Sequence, residues 1–223
     1  MHPEKILSTI LARKDRILDL DIISRELTNR GRTKEEIKIA IKLAYCIAFF
    51  DSLLFEKPIV IVFSSNCNKD ELFCFFASYY HPSMDGCDNE EYTVYVERLL
   101  ERIKENKRKF VSFDENGKPF LTAITLTEAI IRMAIHEVRH RLQHNDRVKI
   151  FYRDKKYRNP IGNFVKFTNL VYKYEAKNKP QEYIKERLSN NEFDANVIDS
   201  YFSYKLHKGE SIKKLSEIIK KQG

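Results

Sequence analysis

The chain has 223 residues, of which 43% are hydrophobic, and carries a formal net charge of +8 at pH 7. This length and composition are ordinary for a globular protein and predict a single domain spanning 1–223 with a sizeable core. No uninterrupted apolar run approaches the roughly 20 residues that span a bilayer, and the N-terminus lacks a signal-peptide core, so we expect neither a membrane partner nor secretion. The four cysteines form no CxxC pair, which favours free thiols in a cytoplasmic protein over a disulfide framework.

The N-terminal part, 1–57, is predicted to be helical. Apolar residues recur at helical spacing from Ile6, and Asp21 is placed to cap a short second helix ending at "NRG". Thr33 and Glu36 form a capping box that opens a long helix with an apolar stripe. A DNA-reading helix-turn-helix is disfavoured here, because the linker exceeds 3–4 residues and little polar recognition face remains.

The next part, 58–145, is predicted to hold the sheet and a candidate active-site helix. Thr125 and Glu128 form a second capping box, opening a helix from about Leu126 to His144. The elements before it are, in order, a strand over 58–65, a helix over 69–81, a strand over 92–96, a charged helix over 97–109 and a hairpin around "ENG".

Two further parts complete the chain. A basic insertion, 146–190, contains a loop at "YRNPIGN", a helix over 164–178 and another helix from Pro180. The last part, 191–223, contains a helix that stops at Gly209 and an amphipathic helix capped by Ser211. These elements together predict an α+β fold that is mostly helical with a small β-sheet.

The sequence "MAIHEVRHRLQHN" carries the clearest chemical pattern. His136 and His140 lie four residues apart, so on a helix they share one face and can both reach a Zn²⁺ ion at about 2.0–2.1 Å. Glu137 is rotated by about 100° and can reach a water on that ion. This spacing specifies two metal ligands and a general base. The alternative is a solvated helix face that happens to be rich in histidine and arginine.

A catalytic zinc needs a third protein ligand and an open position. His144 lies about 12 Å along the helix axis from His136, too far for one ion to bind both. Glu192 is the better candidate, and Asn196, one turn later, is placed to accept a hydrogen bond from a ligand imidazole. Two alternatives stay open: a cysteine ligand, and a Glu192 favoured only by the helix dipole.

The segments "IHEVRHRLQH" and "EFDAN" together resemble the ImmA/IrrE family of zinc metallopeptidases, a zincin-like fold of gluzincin type. The resemblance implies that His136, His140 and Glu192 are zinc ligands, Glu137 is the catalytic base, and Asn196 is the Asn that follows the third ligand. Its substrates are commonly protein regulators of transcription. Two features differ from the family pattern: Arg139 stands where Gly is usual, and the gap between His140 and Glu192 is longer.

The positive charge is concentrated in one segment. Between Arg147 and Asn190 there are twelve Lys or Arg and four acids, which equals the excess of the whole chain. Basic residues there alternate with aromatic residues, a pattern that suits phosphate binding and base stacking but also a packed helix with a charged surface. The candidate contacts to a nucleic acid or an acidic protein are Arg153, Lys155, Lys156 and Arg158.

Two functions follow from these patterns. The first is a Zn²⁺-dependent peptidase that hydrolyses a specific regulatory protein or peptide, with Glu137 as the base and an oxyanion donor such as Tyr152 or Tyr157 left open. The alternative is a nucleic-acid-binding or regulatory protein whose zinc site is structural or vestigial.

Overall fold

The structure is a computed structural model, and it describes residues 3–12, 20–57, 59–64, 77–82, 90–95, 109–113, 119–123, 125–178 and 189–223. Over these ranges the chain is mostly helical with a small mixed sheet, which confirms the predicted α+β class. Within the same ranges, no helix is both long enough and apolar enough to cross a membrane.

Three helices come first: α1 (Pro3–Ala12), α2 (Leu20–Asn29) and α3 (Lys34–Ser52). The capping box at Thr33 is confirmed, because its side chain accepts a hydrogen bond from Glu36 N and its backbone N–H donates to the Glu36 carboxylate at 2.7 Å. The prediction that Asp21 caps α2 is wrong. Leu20 is already helical, whereas an N-cap residue stands outside the helical backbone conformation.

The sheet has the order β1-β3-β2, with β1 (Val60–Ser64), β2 (Ala77–Tyr80) and β3 (Glu91–Tyr95). β1 runs parallel to β3, and β2 runs antiparallel to it. A separate antiparallel pair joins β4 (Lys109–Phe113) to β5 (Pro119–Ala123). The structure confirms the strand predicted over 58–65, as β1, and the strand predicted over 92–96, as β3. It also confirms the two paired strands of the predicted hairpin, as β4 and β5.

The helix predicted over 69–81 is wrong where the structure describes it, because Ala77–Tyr80 forms β2. Tyr79 lies opposite Tyr92 in the ladder, with the two ring centroids 5.4 Å apart. Aromatic residues favour strands, and a short apolar run does not distinguish a helix from a strand. The charged helix predicted over 97–109 lies outside the described residues except for Lys109, which begins β4, and the helix predicted from Pro180 lies outside them up to residue 188. All cysteines except Cys46, a buried free thiol, also lie outside them.

Four helices follow the strands: α4 (Leu126–His144), α5 (Ile161–Asn178), α6 (Asn190–His207) and α7 (Ile212–Ile219). α4 has the predicted bounds, α6 ends just before its predicted stop at Gly209, α7 begins directly after its predicted cap Ser211, and α5 begins three residues earlier than predicted. The second capping box forms only in part. Thr125 accepts from Glu128 N, but the Glu128 carboxylate accepts hydrogen bonds from Ser203 and His207 instead.

α4 lies at the centre of the helical layer and packs against α1, α3, α6, α7 and β2. Its inward side chains, including Ile131, Ile135 and Val138, are fully buried. Burying each such side chain stabilises the fold by about 1.5–3 kcal/mol. The helix that carries the histidine motif is therefore held on several sides by the core.

Candidate metal centre

Two histidines of α4 face each other across one helical turn. His136 and His140 have ring centroids 4.8 Å apart, and their Nε2 atoms are 3.1 Å apart. Residues i and i+4 of a helix lie on the same face, so this proximity follows from the spacing in the sequence. The structure thus brings together the two residues predicted as histidine ligands.

α6 brings the third candidate ligand to the same point. Ser189 caps α6 by accepting from Glu192 N, which places Glu192 in the first turn. The Glu192 carboxylate lies 3.3 Å from Nε2 of His136 and 2.9 Å from Nε2 of His140. In the described part of the chain, these three side chains are the group whose donor atoms lie close enough together to hold one metal ion.

The spacing of these donor atoms fits a tetrahedral zinc ion. Ligand atoms about 2.0–2.1 Å from such an ion are roughly 3.3–3.4 Å apart. The separation of 3.1 Å between the two Nε2 atoms is close to that value, and the Glu192 carboxylate lies at a similar range, with Oε2 3.3 Å from His136 Nε2 and Oε1 2.9 Å from His140 Nε2. Two imidazole nitrogens and one carboxylate are also a donor set that catalytic zinc sites use, with the fourth position left for water or substrate.

The charges at the site are tightly linked. Burial lowers the pKa of His136, but the negative charge of Glu192 and the hydrogen bond to Asp199 outweigh it, and the pKa is raised to about 10. Burial would raise the pKa of Glu192, but the charges of both imidazoles hold it well below its ordinary value. The carboxylate is thus kept ionised, the form in which it binds metal.

Glu137, the predicted base, lies beside this cluster. It is only 7% exposed. Burial raises its pKa to about 7, while the charges of His136 and His140 and a hydrogen bond from the backbone of Tyr79 act in the opposite direction. The carboxylate of Glu137 is therefore placed between the metal-binding face of α4 and strand β2.

A second carboxylate orients the His136 ring, and the sequence did not single it out. Asp199 Oδ2 lies 3.4 Å from Nδ1 of His136, while Oδ1 accepts from Arg132 at 2.6 Å and from Ser200 at 3.1 Å. A carboxylate on the far nitrogen fixes the tautomer and orientation of a metal-binding histidine. The signal was present, since Asp199 follows Glu192 by seven residues and so lies on the same helix face.

The predicted hydrogen bond from a ligand imidazole to Asn196 is wrong. Asn196 Nδ2 instead donates to the hydroxyl of Tyr172 at 2.8 Å and to the backbone carbonyl of Glu192 at 2.7 Å. An amide four residues after a helical carbonyl can turn back to it, and the Asn196 side chain does so here. Asn196 therefore supports the first turn of α6. The role predicted for Asn196, orienting a ligand imidazole, belongs to Asp199.

His144 is a neighbour of the cluster and does not belong to it. Its ring stacks on His81 with 5.7 Å between centroids and an interplanar angle of 16°. It also contacts the ring of Tyr79, at 5.6 Å. Burial, followed by the charges of His140 and His81, lowers the pKa of His144. These contacts connect the end of α4 to the end of β2.

The four basic residues predicted to contact an anionic partner are not equivalent. Lys155, Lys156 and Arg158 are exposed. Arg153 is partly buried, and its guanidinium carbon lies 5.2 Å from the ring centre of Tyr172 and 5.3 Å from that of Phe193. Cation–π contacts of this kind hold a side chain in place. Lys155 makes a similar contact, with its Nζ 4.5 Å from the ring centre of Tyr152, but its side chain is exposed, so Arg153 is the one partly buried residue of the four.

The rest of the basic insertion divides into core and surface. Phe151, Phe164 and Tyr172 are buried, whereas the lysines of α5 whose side chains are described are exposed. The hydroxyl of Tyr157 accepts from the backbone N–H of Tyr152 at 2.8 Å, so it is used within the loop. The outer face of α5 presents Lys166, Leu170, Lys173 and Lys177.

Comparisons of this chain with protein-family models, with curated proteins and with solved structures gave no match. The resemblance to the ImmA/IrrE family therefore remains a prediction from the sequence motifs.

Proposed function

We propose that this chain is a zincin-like, zinc-dependent metallopeptidase. The observation that supports the proposal best is the convergence of His136, His140 and Glu192, with donor atoms 2.9–3.3 Å apart and Glu137 beside them. Structural zinc sites usually have four protein ligands, whereas catalytic sites have three. Three ligands and an adjacent buried carboxylate favour the catalytic kind.

The chemistry would divide between the ion and one side chain. When bound, zinc lowers the pKa of its water toward about 7 and polarises the scissile carbonyl. Glu137 accepts the proton that the attacking water loses and then donates it to the leaving amine, so that one water is added across the peptide bond. Burial of Glu137 keeps its carboxylate in one position for both transfers.

An extended peptide is the substrate that fits the strand beside the site. β2 lies at the edge of the described sheet, where β3 is its partner strand, and it contacts α4. The backbone of Tyr79, in β2, hydrogen-bonds to Glu137. A peptide that pairs with the edge of β2 away from β3 would run past the metal ligands. The sequence resemblance further suggests that a specific regulatory protein is cleaved.

A second candidate function rests on the basic surface. The exposed lysines of α5 and of the loop before it would attract an acidic protein or a nucleic acid. In that function the zinc site would be structural or vestigial. The two candidates differ in one requirement: only the peptidase needs Glu137.

Metal content tests the first step of the proposal. We expect about one zinc per chain in the wild-type protein by native mass spectrometry. Glu192→Ala should lose most of it, because two histidines alone hold zinc weakly. Glu217→Ala, at an exposed position of α7, is the matched control and should retain it. This ligand set would be refuted if the wild-type chain bound no zinc, or if Glu192→Ala kept its zinc while His144→Ala lost it.

Activity tests the second step. Zinc-loaded wild-type protein and Glu137→Gln are each incubated with a peptide library from a digested proteome, and new termini are identified by mass spectrometry. We expect Glu137→Gln to keep its zinc and lose every cleavage seen with wild type, because an amide does not accept the proton of water. Equal cleavage by both proteins would refute the mechanism.

A further inference from the structure

Gln143 lies one turn after His140 on α4 and contacts its ring. The side-chain oxygen Oε1 of Gln143 is 2.7 Å from Nδ1 of His140. Its amide nitrogen Nε2 donates to the backbone carbonyl of Asn191 at 3.0 Å and to Oδ2 of Asp194 at 2.6 Å. Gln143 is only 8% exposed, so these contacts are shielded from water. One amide thus connects a candidate metal ligand to the helix that carries Glu192.

The partners of Gln143 allow only one orientation of its amide. A carbonyl oxygen and a carboxylate oxygen only accept hydrogen bonds, so the side facing Asn191 and Asp194 must be the NH₂ group. The oxygen must then face His140. Because an amide oxygen only accepts, Nδ1 of His140 must carry the proton that it receives. In a neutral ring this leaves the lone pair on Nε2, the nitrogen that lies 2.9 Å from Glu192.

Asp194 is itself held firmly. Arg139 donates to both of its oxygens, at 2.6 and 2.9 Å, and the backbone N–H of Phe151 donates to Oδ1 at 2.8 Å. Arg139 also donates to the carbonyl of Ile219 at 2.6 Å, and both charged side chains are completely buried. The carboxylate therefore has little freedom to turn away from Gln143, and the amide has little freedom to flip.

We propose that Gln143, held by Asp194 and Arg139, is a positioning residue that sets the tautomer of His140 and so selects Nε2 as its metal-binding nitrogen. The inference deepens the proposed function and rests on it for the role of the metal. It also gives a reason for an arginine at position 139, between the two histidines in the sequence. The charge of Arg139 holds the Asp194 carboxylate, which orients the Gln143 amide. Asp199 orients the ring of His136 in the corresponding way, with a carboxylate instead of an amide next to Nδ1.

The tautomer is directly measurable. Long-range ¹⁵N–¹H spectra of the histidine-labelled wild-type protein distinguish a ring protonated at Nδ1 from one protonated at Nε2, at a pH high enough for the ring to be neutral. We expect His140 to carry its proton on Nδ1 in the metal-free protein and to bind zinc through Nε2 when loaded. A ring protonated at Nε2 in the metal-free wild type would overturn the proposal without any variant.

Zinc affinity measures the consequence. Gln143→Met preserves the length of the side chain and removes both its hydrogen-bonding groups. We expect its zinc dissociation constant, from competition with a chromophoric chelator, to rise about 10–100-fold, the usual effect of losing such a partner. Its His140 spectrum should show a mixture of tautomers. Gln222→Met, at an exposed glutamine of the C-terminal segment, is the matched control and should bind zinc as wild type does.

The outcomes separate this inference from the proposed function. A wild-type protein that binds no zinc would refute the function, while its His140 tautomer would still decide the inference. If wild type binds zinc and folded Gln143→Met binds it within twofold as tightly, the positioning role is overturned. If Gln143→Met does not fold, the wild-type tautomer decides.

Discussion

The face of α4 that carries Glu137 also carries Arg141, four residues later, and this arginine offers a sharp test of how the helix is held. Arg141 is buried, and its guanidinium donates to Asp51 at 2.6 Å and to both oxygens of Glu90 at 2.9 Å. Its guanidinium carbon lies 3.9 Å from the ring centre of Phe55. The variant Arg141→Leu removes the charge while keeping an apolar side chain in place. It leaves Asp51, which is 2% exposed, with the hydrogen bond from Tyr92.

The cost of this change can be bounded. Burial already raises the pKa of Asp51, and Arg141 opposes that shift. Without the arginine, Asp51 escapes the penalty of a buried charge by taking up a proton. From an unfolded pKa near 3.9 this costs at most about 4 kcal/mol at pH 7, and about 1.4 kcal/mol less for each unit by which the pH falls.

The direction of the pH dependence follows from that shift. In the variant the folded pKa of Asp51 lies above the unfolded value, so the folded state binds the proton more tightly and gains stability as pH falls. Arg141 also helps to hold the pKa of Glu90 at about 2, against the effect of its burial. The stability that Glu90 loses in the variant is constant above about pH 5, and His136 and Glu137 titrate in both proteins. The change between pH 7 and pH 5 in the difference between variant and wild type is therefore assigned to Asp51.

Urea unfolding of both proteins at pH 7, 6 and 5 is the assay. We expect Arg141→Leu to lose about 3–5 kcal/mol at pH 7 and clearly less at pH 5. The double variant Arg141→Leu/Asp51→Asn should show no such slope, because it lacks the titrating group. Zinc content should be unchanged. A loss below about 1 kcal/mol at pH 7, or a loss equal at pH 7 and pH 5, would show that the pair does not hold α4 in this way.

Three further predictions concern the metal and the basic surface. Asp199→Asn should keep the contact to Arg132 and weaken zinc binding about tenfold in a chelator competition, since an amide orients His136 less strongly. Free zinc at 100 times its dissociation constant should add about 2.7 kcal/mol of stability, raising the melting temperature by roughly 5–10 °C, with no effect on His136→Ala. Replacing the exposed residues Lys155, Lys156 and Arg158 together with Gln should leave zinc content unchanged and weaken binding to duplex DNA or an acidic protein. In the DNA case the slope of log affinity against log salt concentration should become smaller. Unchanged binding to both partners would mean that the segment is ordinary surface.

Local patterns accounted for the elements that position the site. The four-residue spacing of His136 and His140 predicted their shared face, and the caps at Thr125 and Ser211 predicted where α4 and α7 begin. Glu192 was predicted near the N-terminus of a later helix, and it lies in the first turn of α6. Each of these inferences uses residues within two helical turns of one another, the range over which helix geometry determines contact.

Contacts between distant residues were beyond such patterns. Strand β2 was predicted as a helix, because a run of apolar and aromatic residues fits both, and the choice is made by its pairing with β3. The partners Arg139 and Asp194 are 55 residues apart, and Arg141 and Asp51 are 90 apart. Nothing in the sequence near either arginine identifies its carboxylate.

The buried charges give α4 a role beyond carrying two ligands. Arg139 joins it to Asp194 on α6 and to the last carbonyl of α7, at Ile219. Asp194 in turn accepts from Phe151, at the start of the basic insertion. Replacing a buried ion pair with apolar side chains is often neutral or stabilising, so a pair of this kind is better explained by the geometry it imposes than by stability. Here that geometry is the distance between two histidines on one helix and a carboxylate on another. The C-terminal helix, although it contributes no ligand, is therefore part of the framework that holds the metal ligands together.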